Sequence, residues 1–387
     1  MTEITPVNLD YAASTPMRPE ARAAQAAYDA SDIAGANPNS LHTLGRKTAL
    51  ELERCRRTVA RTLGSRVRAS EVIFTGGGTE ANHLALAGMA EGAREHDRAR
   101  TRVLVSAIEH DSMLDNLPAL RAEGFTVELL QPNPQGIVDI EELEAHLTPD
   151  VALVSVMLAN NETGVVQPIA ELAAAARRAG ALFHTDAIQG YLHIPFDVNE
   201  LGVDALSLAG HKIGGPVGTG ALYLRSRTPL RPQILGGGQE SGRRAGTQDV
   251  RTIVALAAAA EALHPHVAAD AARIRTLADR LYERLCVHPA IHATMGDWTS
   301  VERLPGIVSV TVDGHDTEEL VLKLDAAGFE VSGGSACSSA SLDASHVLTA
   351  MGIARERALG ALRISFDDRV DPKDLDRFAD TLLNLMG

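Results

Sequence analysis

The stretch Ser207-Leu208-Ala209-Gly210-His211-Lys212-Ile213-Gly214-Gly215-Pro216 sets one lysine among glycines and apolar residues. Of the 36 basic residues only four are lysine, at positions 47, 212, 323 and 373, so a chain that otherwise relies on arginine has little reason to place one here for solvation. Partial desolvation lowers a lysine pKa and turns its amine into a nucleophile or base, as imine chemistry requires. Asp186 closes an apolar run and is followed by Gln189. A carboxylate so placed serves as a metal ligand, a cap or the partner of a cofactor nitrogen. Gly76-Gly77-Gly78-Thr79 offers bare backbone N–H groups to a phosphate. Gly76 to Ala81 also fits the G-x-G-x-x-A pattern, so dinucleotide binding competes at this point. Pyridoxal 5'-phosphate needs an amine for its imine, a carboxylate beside its pyridinium nitrogen and a phosphate cup. The glycine turn, Asp186 and Lys212 supply all three, whereas the dinucleotide reading leaves Lys212 without a use.

Other polar residues follow similar apolar runs. His110 comes after 102–108, and Asn160-Asn161-Glu162-Thr163-Gly164 after 151–158; singly, each also reads as a turn or a structural contact. Cys55, Cys286 and Cys337 lie 231 and 51 residues apart, which makes neither a disulfide framework nor a metal-binding pair. Cys55 and Cys286 fall on apolar helical faces, the pattern of core cysteines. Cys337 instead sits in Ser332-Gly333-Gly334-Ser335-Ala336-Cys337-Ser338-Ser339. That run of small residues suits a thiolate that must reach a reacting atom and leave again.

The elements that must position these groups are legible in the hydrophobic periodicity. Leu44, Thr48, Leu52, Cys55, Val59 and Leu63 mark one helix face, which Gly64 ends. Residues 72–75 read as a buried strand, with a helix opening at Glu80. Further strands are expected over 102–108, 125–130, 151–158, 181–185 and 204–208. Helices such as 111–122 and 168–179 lie between them, with Pro168 in a first turn. This alternation gives a parallel sheet covered on both faces, in which ligands bind beyond the carboxyl ends of the strands. Past residue 250 the pattern changes to a long Ala-rich helical stretch (250–286), strand 306–312, helix 316–327, strand 361–366 and helix 372–386. The expected fold class is α/β, with a large domain over 20–260. A smaller α+β domain takes 1–19 plus 261–387 and carries the cysteine segment at about 331–342.

Composition sets the outer limits. Hydrophobic residues make up 45 %, which sustains a core and argues against global disorder. Aromatics at 3 % argue against base-stacking platforms, and a net charge of −14 against polyanion partners. No span approaches the roughly 18 apolar residues of a membrane helix, and the N-terminus lacks the order of a secretion signal. The expectation is therefore a cytoplasmic protein with no direct nucleic acid and no membrane partner.

Several longer motifs run through the chain: Leu9-Asp10-Tyr11-Ala12, Phe74-Thr75 through Glu80-Ala81-Asn82, Glu109-His110, Asn160 to Gly164, His184-Thr185-Asp186-Ala187, Gly210-His211-Lys212, and Ser335 to Ser341. Together the sequence resembles the cysteine desulfurases of the class V aminotransferase group, which are fold type I pyridoxal-phosphate enzymes. The resemblance implies that Lys212 forms the imine with pyridoxal 5'-phosphate and that Asp186 faces the pyridine nitrogen. Asn161 and Gln189 would reach the phenolic oxygen, and His110 would stack on the ring and shuttle protons. Gly78, Thr79 and His211 would hold the phosphate, with Thr247 reaching it from the partner subunit of a homodimer. Arg363 would clamp the substrate carboxylate beside Asn161, and Cys337 would take the sulfur. No stable metal site is implied; Cys337 is at most a transient iron–sulfur ligand. Ala209 departs from the family pattern where a phosphate-binding serine is common, Gly334 where a serine is usual, and Ser241 where an exposed arginine often serves acceptor docking.

The reading is thus a desulfurase that converts L-cysteine to L-alanine and leaves a persulfide on Cys337 for a sulfur-acceptor protein. That acceptor would be an iron–sulfur scaffold, a tRNA-thiolation enzyme or a DNA-sulfur-modification partner. One alternative is a selenocysteine lyase or another class V β-lyase. A second, of another kind, is a sulfur-carrying or cluster-assembly scaffold whose turnover is secondary.

Overall fold

A computed structural model describes residues 6–334 and 343–386. Cys337 and the motif from Ser335 to Ser341 lie outside the described residues. Strand β1 (Val7–Asn8) opens the described chain. It is followed by β2 (Val72–Thr75), β3 (Arg102–Ser106), β4 (Thr126–Leu130), β5 (Val151–Ser155), β6 (Leu182–Asp186), β7 (Ala205–Ala209) and β8 (Gly220–Leu224). These last seven form one sheet in the order β2-β8-β7-β6-β5-β3-β4. The β4-β3-β5-β6-β7 run is parallel, while β8 is antiparallel to both β7 and β2. β2 therefore points the same way as the parallel strands, and the segments that follow β2, β3, β5, β6 and β7 leave from one edge. That edge carries the glycine turn, His110, Asn160 to Gly164, Asp186 and Lys212.

Side-chain alternation assigns the two faces. Val72, Phe74, Leu104, Val154, Leu206 and Tyr223 join one core with the helices Thr43–Leu63, Ile169–Arg178 and Val250–Leu263. Their sequence neighbours Ile73, Val103, Val105, Leu153, Ala205 and Leu222 pack on the other face against the helix Gly78–His96. Strands buried on both sides read as continuous apolar runs, which is why they were legible. Three further strands, β9 (Ile291–Ala293), β10 (Ile307–Val312) and β12 (Ala361–Ser365), make an antiparallel sheet in the order β12-β10-β9. The short β11 (Phe329–Glu330) pairs in parallel with β1. These strands share a separate core with the helices Val267–Leu285, Thr317–Ala326 and Pro372–Leu385.

Several expected boundaries need correction. The helix after β2 begins at Gly78, not Glu80. The helix expected over 111–122 is two pieces, Asp111–Leu114 and Leu117–Ala122. Pro118 lacks an N–H and restricts Leu117, which breaks the run. Pro265 likewise splits 250–286 into Val250–Leu263 and Val267–Leu285. Pro168 occupies the N-cap of Ile169–Arg178, not its first turn. β5 stops at Ser155, short of 158, and the Met157 N–H is taken by the Glu109 side chain at 2.6 Å. The helical run 250–285 passes the length and hydropathy test for a membrane span, contrary to expectation. Uninterrupted apolar runs are the wrong measure where scattered polar residues leave the mean hydropathy high. Its residues Ile253, Val254, Leu256 and Leu281 lie in the two cores.

One polar ladder crosses the buried sheet. The His184 Nδ1 lies 2.8 Å from the Ser155 hydroxyl on β5, and its Nε2 lies 2.9 Å from the Ser207 hydroxyl on β7. Burial pushes the His184 pKa down to about 3. Between that value and the ordinary histidine range near 6.5, the folded chain binds fewer protons than the unfolded chain. Stability therefore falls on acidification through this window, by up to about 1.4 kcal/mol per pH unit from this group. Urea titrations from pH 6.5 to 4 should show a shallower acid loss in His184→Gln than in wild type; equal slopes would contradict this assignment.

Candidate active site

Residues from five strand ends, the N-terminal segment and β12 line one cleft. Lys212 closes a single 3-10 turn, Gly210–Lys212, immediately after β7. Its ammonium donates to the carbonyls of Ala12 and Ala13 at 2.7 and 3.0 Å. These two contacts hold the amine over the N-terminal segment, with its tip inside the cleft. His211 beside it lies 3.2 Å through Nδ1 from the Ser14 hydroxyl. Burial, with the Lys212 charge, pushes the His211 ring down to about 4. It is a neutral hydrogen-bonding group at physiological pH.

Asp186 is the last residue of β6 and is almost wholly buried. Its Oδ1 accepts from the Ile188 N–H at 2.8 Å and its Oδ2 from Asn82 Nδ2 at 2.7 Å. Burial raises its pKa, an effect that the two donors and the nearby His110 and Lys212 offset in part. A cationic ring nitrogen at this carboxylate would supply the missing counter-charge. Gln189, one turn on, donates to the Ala12 carbonyl at 2.8 Å and also lines the cleft.

The glycine turn after β2 forms the far wall. Gly77 has φ +145°, which L side chains rarely adopt, and a side chain on Gly78 would meet Ile188 at 2.3 Å. The turn thus brings the start of the helix Gly78–His96 hard against the strand ends, where Gly78 and Thr79 line the cleft. Ala209, the last residue of β7, faces the same turn, its Cβ 3.2 Å from where a Gly78 Cβ would stand. The donor set fits pyridoxal phosphate: helix-start N–H groups, Thr79 and His211 for a phosphate, Asp186 for the ring nitrogen and Lys212 for the aldehyde carbon.

His110 caps the short helix Asp111–Leu114, its Nδ1 accepting from the Ser112 N–H at 3.0 Å. Asn161 and Arg363 also line the cleft. Arg363, on β12, is buried; it donates to the Asn161 carbonyl at 2.8 Å and pairs with Asp10 at 2.8 Å. Thr247 stands elsewhere, exposed and not among the cleft residues. Its loop is fastened by Arg244, which grips Glu80 at 2.7 and 3.0 Å. Cys55 is buried and its thiol is pushed up to about 12, the profile of an inert core cysteine. Cys286, at the C-cap of Val267–Leu285, packs against the smaller core as its apolar face led us to expect, but it is half-buried, not a fully buried core cysteine.

Five residues escaped sequence reasoning as contributors. Asp10 and Arg363 meet only through the fold, as do Asn82 and Asp186. Ser112 contacts both Asn82 and His110. Glu109 is fully buried, and its carboxyl is raised well above the usual range by burial and by Asp186. Glu162, also buried, accepts from Ser345, and a side chain on Gly334 would meet its Oε2 at 2.8 Å. Gly334 also has φ +115°, so glycine here answers a local steric demand. Asp10, Asn82, Glu109 and Glu162 each lay inside a quoted motif, and that membership was the available signal.

The aminotransferase class-V family model matches residues 7–378. A cysteine desulfurase from Cereibacter sphaeroides is 40 % identical over 379 residues, covering 97 % of this chain and 94 % of that protein. Among solved structures, a NifS-like protein superposes with a TM-score of 0.89 at 32 % identity, covering 99 % of both chains. SspA, solved in complex with cysteine, gives a TM-score of 0.80 at 32 % identity over 93 % of this chain and 99 % of that one. The fold and these matches define a member of the aminotransferase class-V family, of the pyridoxal-phosphate fold type I. Within that family the chain belongs to the cysteine desulfurases.

Proposed function

We propose that this protein binds pyridoxal 5'-phosphate in the cleft, converts L-cysteine to L-alanine, and passes the sulfur to Cys337 as a persulfide. The observation that carries the reading is the meeting of Lys212, Asp186, the glycine-turn helix start and Arg363 in one cleft. Arg363 binds the substrate carboxylate through its planar fork, which a lysine could not match. Lys212 takes the Cα proton and returns a proton to the product. The bound cofactor supplies an electron sink, and Asp186 keeps its ring nitrogen protonated. His110 donates and accepts protons within the cleft. The Cys337 thiolate attacks the substrate sulfur: the carbon–sulfur bond breaks, a sulfur–sulfur bond forms, and protons complete alanine. Cysteine and one enzyme thiol thus give alanine and one persulfide, with no external oxidant.

The assignment of Thr247 to a partner subunit's phosphate site rests on a homodimer. Leu41 and Leu235 are 89 % and 81 % exposed. Both lie by the Thr247 loop: Asn39 bonds Gln248 at 3.2 Å, and the Ala245 N–H bonds the Ile234 carbonyl at 3.2 Å. A second copy of the chain would cover these side chains. Residues 20–260 would then be the large domain, and 1–19 plus 261–387 the small domain that carries Cys337. We place the enzyme in the cytoplasm, delivering sulfur to an acceptor protein for cluster assembly or thiolation.

The test is alanine release by purified, cofactor-loaded protein given L-cysteine or L-selenocysteine, without any partner protein. Catalytic alanine from cysteine is the expected result. Turnover of selenocysteine alone would replace this reading by the lyase, and no turnover without a partner would favour the scaffold.

A further expectation concerns Ala209. A serine there would aim a hydroxyl at the helix start where a phosphate binds. One neutral hydrogen bond adds about 0.5–1.5 kcal/mol, so Ala209→Ser should slow cofactor loss roughly three- to tenfold. Dialysis against a carbonyl scavenger measures this; unchanged loss would mean that the place is already filled.

A further inference from the structure

We infer that Asn82 and Ser112 are positioning residues that tie the Asp186 carboxylate to the His110 ring and hold that ring as the tautomer protonated on Nε2. The inference rests on the desulfurase reading for its catalytic consequence, and on geometry alone for the tautomer. Asn82 lies in the second turn of the helix Gly78–His96 and is fully buried. Its one amide nitrogen donates to Asp186 Oδ2 at 2.7 Å and to the Ser112 hydroxyl at 2.8 Å. The amide cannot be reversed, because its oxygen would then face the Asp186 carboxylate, two acceptors together.

Both amide hydrogens are therefore used. The Ser112 oxygen accepts one of them, so its own hydrogen is left to point at the group 3.0 Å away, His110 Nδ1. The Ser112 backbone N–H points at the same nitrogen, also at 3.0 Å. A nitrogen that receives two donors carries no proton, and the ring proton must sit on Nε2. His110 then meets whatever occupies the cleft through one defined tautomer, set by the Ser112 backbone N–H together with a hydroxyl that Asn82, which also holds Asp186, orients. Asn82 Oδ1 has no partner among the described residues. A buried amide with an orphan oxygen is not what stability alone would select, which points to a role for its nitrogen.

The test uses the full chain labelled with 15N-histidine. His110 signals are identified by their loss in His110→Asn, and the first spectra are recorded without cofactor. The expected spectrum has His110 Nδ1 unprotonated and Nε2 protonated. In Ser112→Ala the Nδ1 resonance should move, since one of its two donors is gone, and Ser112→Thr should restore it. In the loaded enzyme, Ser112→Ala and Asn82→Ala should each lower kcat about three- to thirtyfold with KM for cysteine within about twofold. Because both act through one connection, the double variant should lose less than the product of the two factors.

A protonated Nδ1 in wild type, or losses that multiply fully, would overturn the inference. The two levels fail separately. An enzyme that makes no alanine from cysteine yet shows the Nε2 tautomer would refute the desulfurase reading and leave the tie standing.

Discussion

Lys212→Ala is expected to abolish alanine release from cysteine, by on the order of 10³-fold or more, and to leave a protein without the yellow absorbance of bound cofactor. The amine is asked to do two things, bond the cofactor and move the Cα proton, and positioned proton transfer alone contributes about 10²–10⁴-fold. Its contacts with the Ala12 and Ala13 carbonyls are not what arginine would lose. A guanidinium at this position could keep charge and hydrogen bonds, but it carries no nucleophilic amine. Lys212→Arg should therefore fold normally and remain as inactive as Lys212→Ala. Thermal unfolding of the two variants separates lost chemistry from lost structure. Substantial turnover in either one would remove Lys212 from the centre of the account.

Arg363→Ala should act mainly on substrate binding. The guanidinium is buried, holds the Asn161 carbonyl and pairs with Asp10. Truncating one partner of a buried, hydrogen-bonded charge pair costs about 2–5 kcal/mol, about 30-fold to several thousandfold in affinity. KM for cysteine should rise within that range, with the thermal midpoint falling as Asp10 loses its partner. Arg363→Lys should recover part of the stability and little of the affinity, because one ammonium cannot serve Asp10, Asn161 and a substrate carboxylate together. An unchanged KM in Arg363→Ala would mean that the substrate carboxylate is held elsewhere.

Much of the site could be read from sequence because the fold delivers it from strand ends. A parallel strand buried on both faces announces itself as an apolar run, and the polar residue just beyond it must sit at the ligand edge. His110, Asn161, Asp186 and Lys212 were found that way. The run Gly220–Leu224 is equally apolar and buried on both faces, yet it was not expected as a strand; it runs antiparallel to β7, so no candidate site residue follows it at the ligand edge. Pro118 and Pro265 were visible in the sequence, but apolar periodicity overrode them. The pairing of Asp10 with Arg363 could not be read at all. It depends on the N-terminal segment lying beside β12, where Asp10 bridges Ser365. The Asn82 contacts were hidden for a similar reason, because an asparagine inside a helical motif does not declare which strand end it faces.

The central claim is that sulfur passes from the substrate to Cys337, and peptide mass measurement after a single turnover tests it most directly. Wild-type enzyme exposed to L-cysteine, trapped with an alkylating reagent and digested, should carry one extra sulfur on the Cys337 peptide and release a matching amount of alanine. Cys55, buried with its thiol pushed up to about 12, should carry none. Cys337→Ser replaces the thiolate by a hydroxyl that stays protonated at neutral pH. It should still bind cofactor and exchange the substrate Cα proton with deuterated solvent, yet form no persulfide and little alanine. Alanine from Cys337→Ser at the wild-type rate would contradict the account.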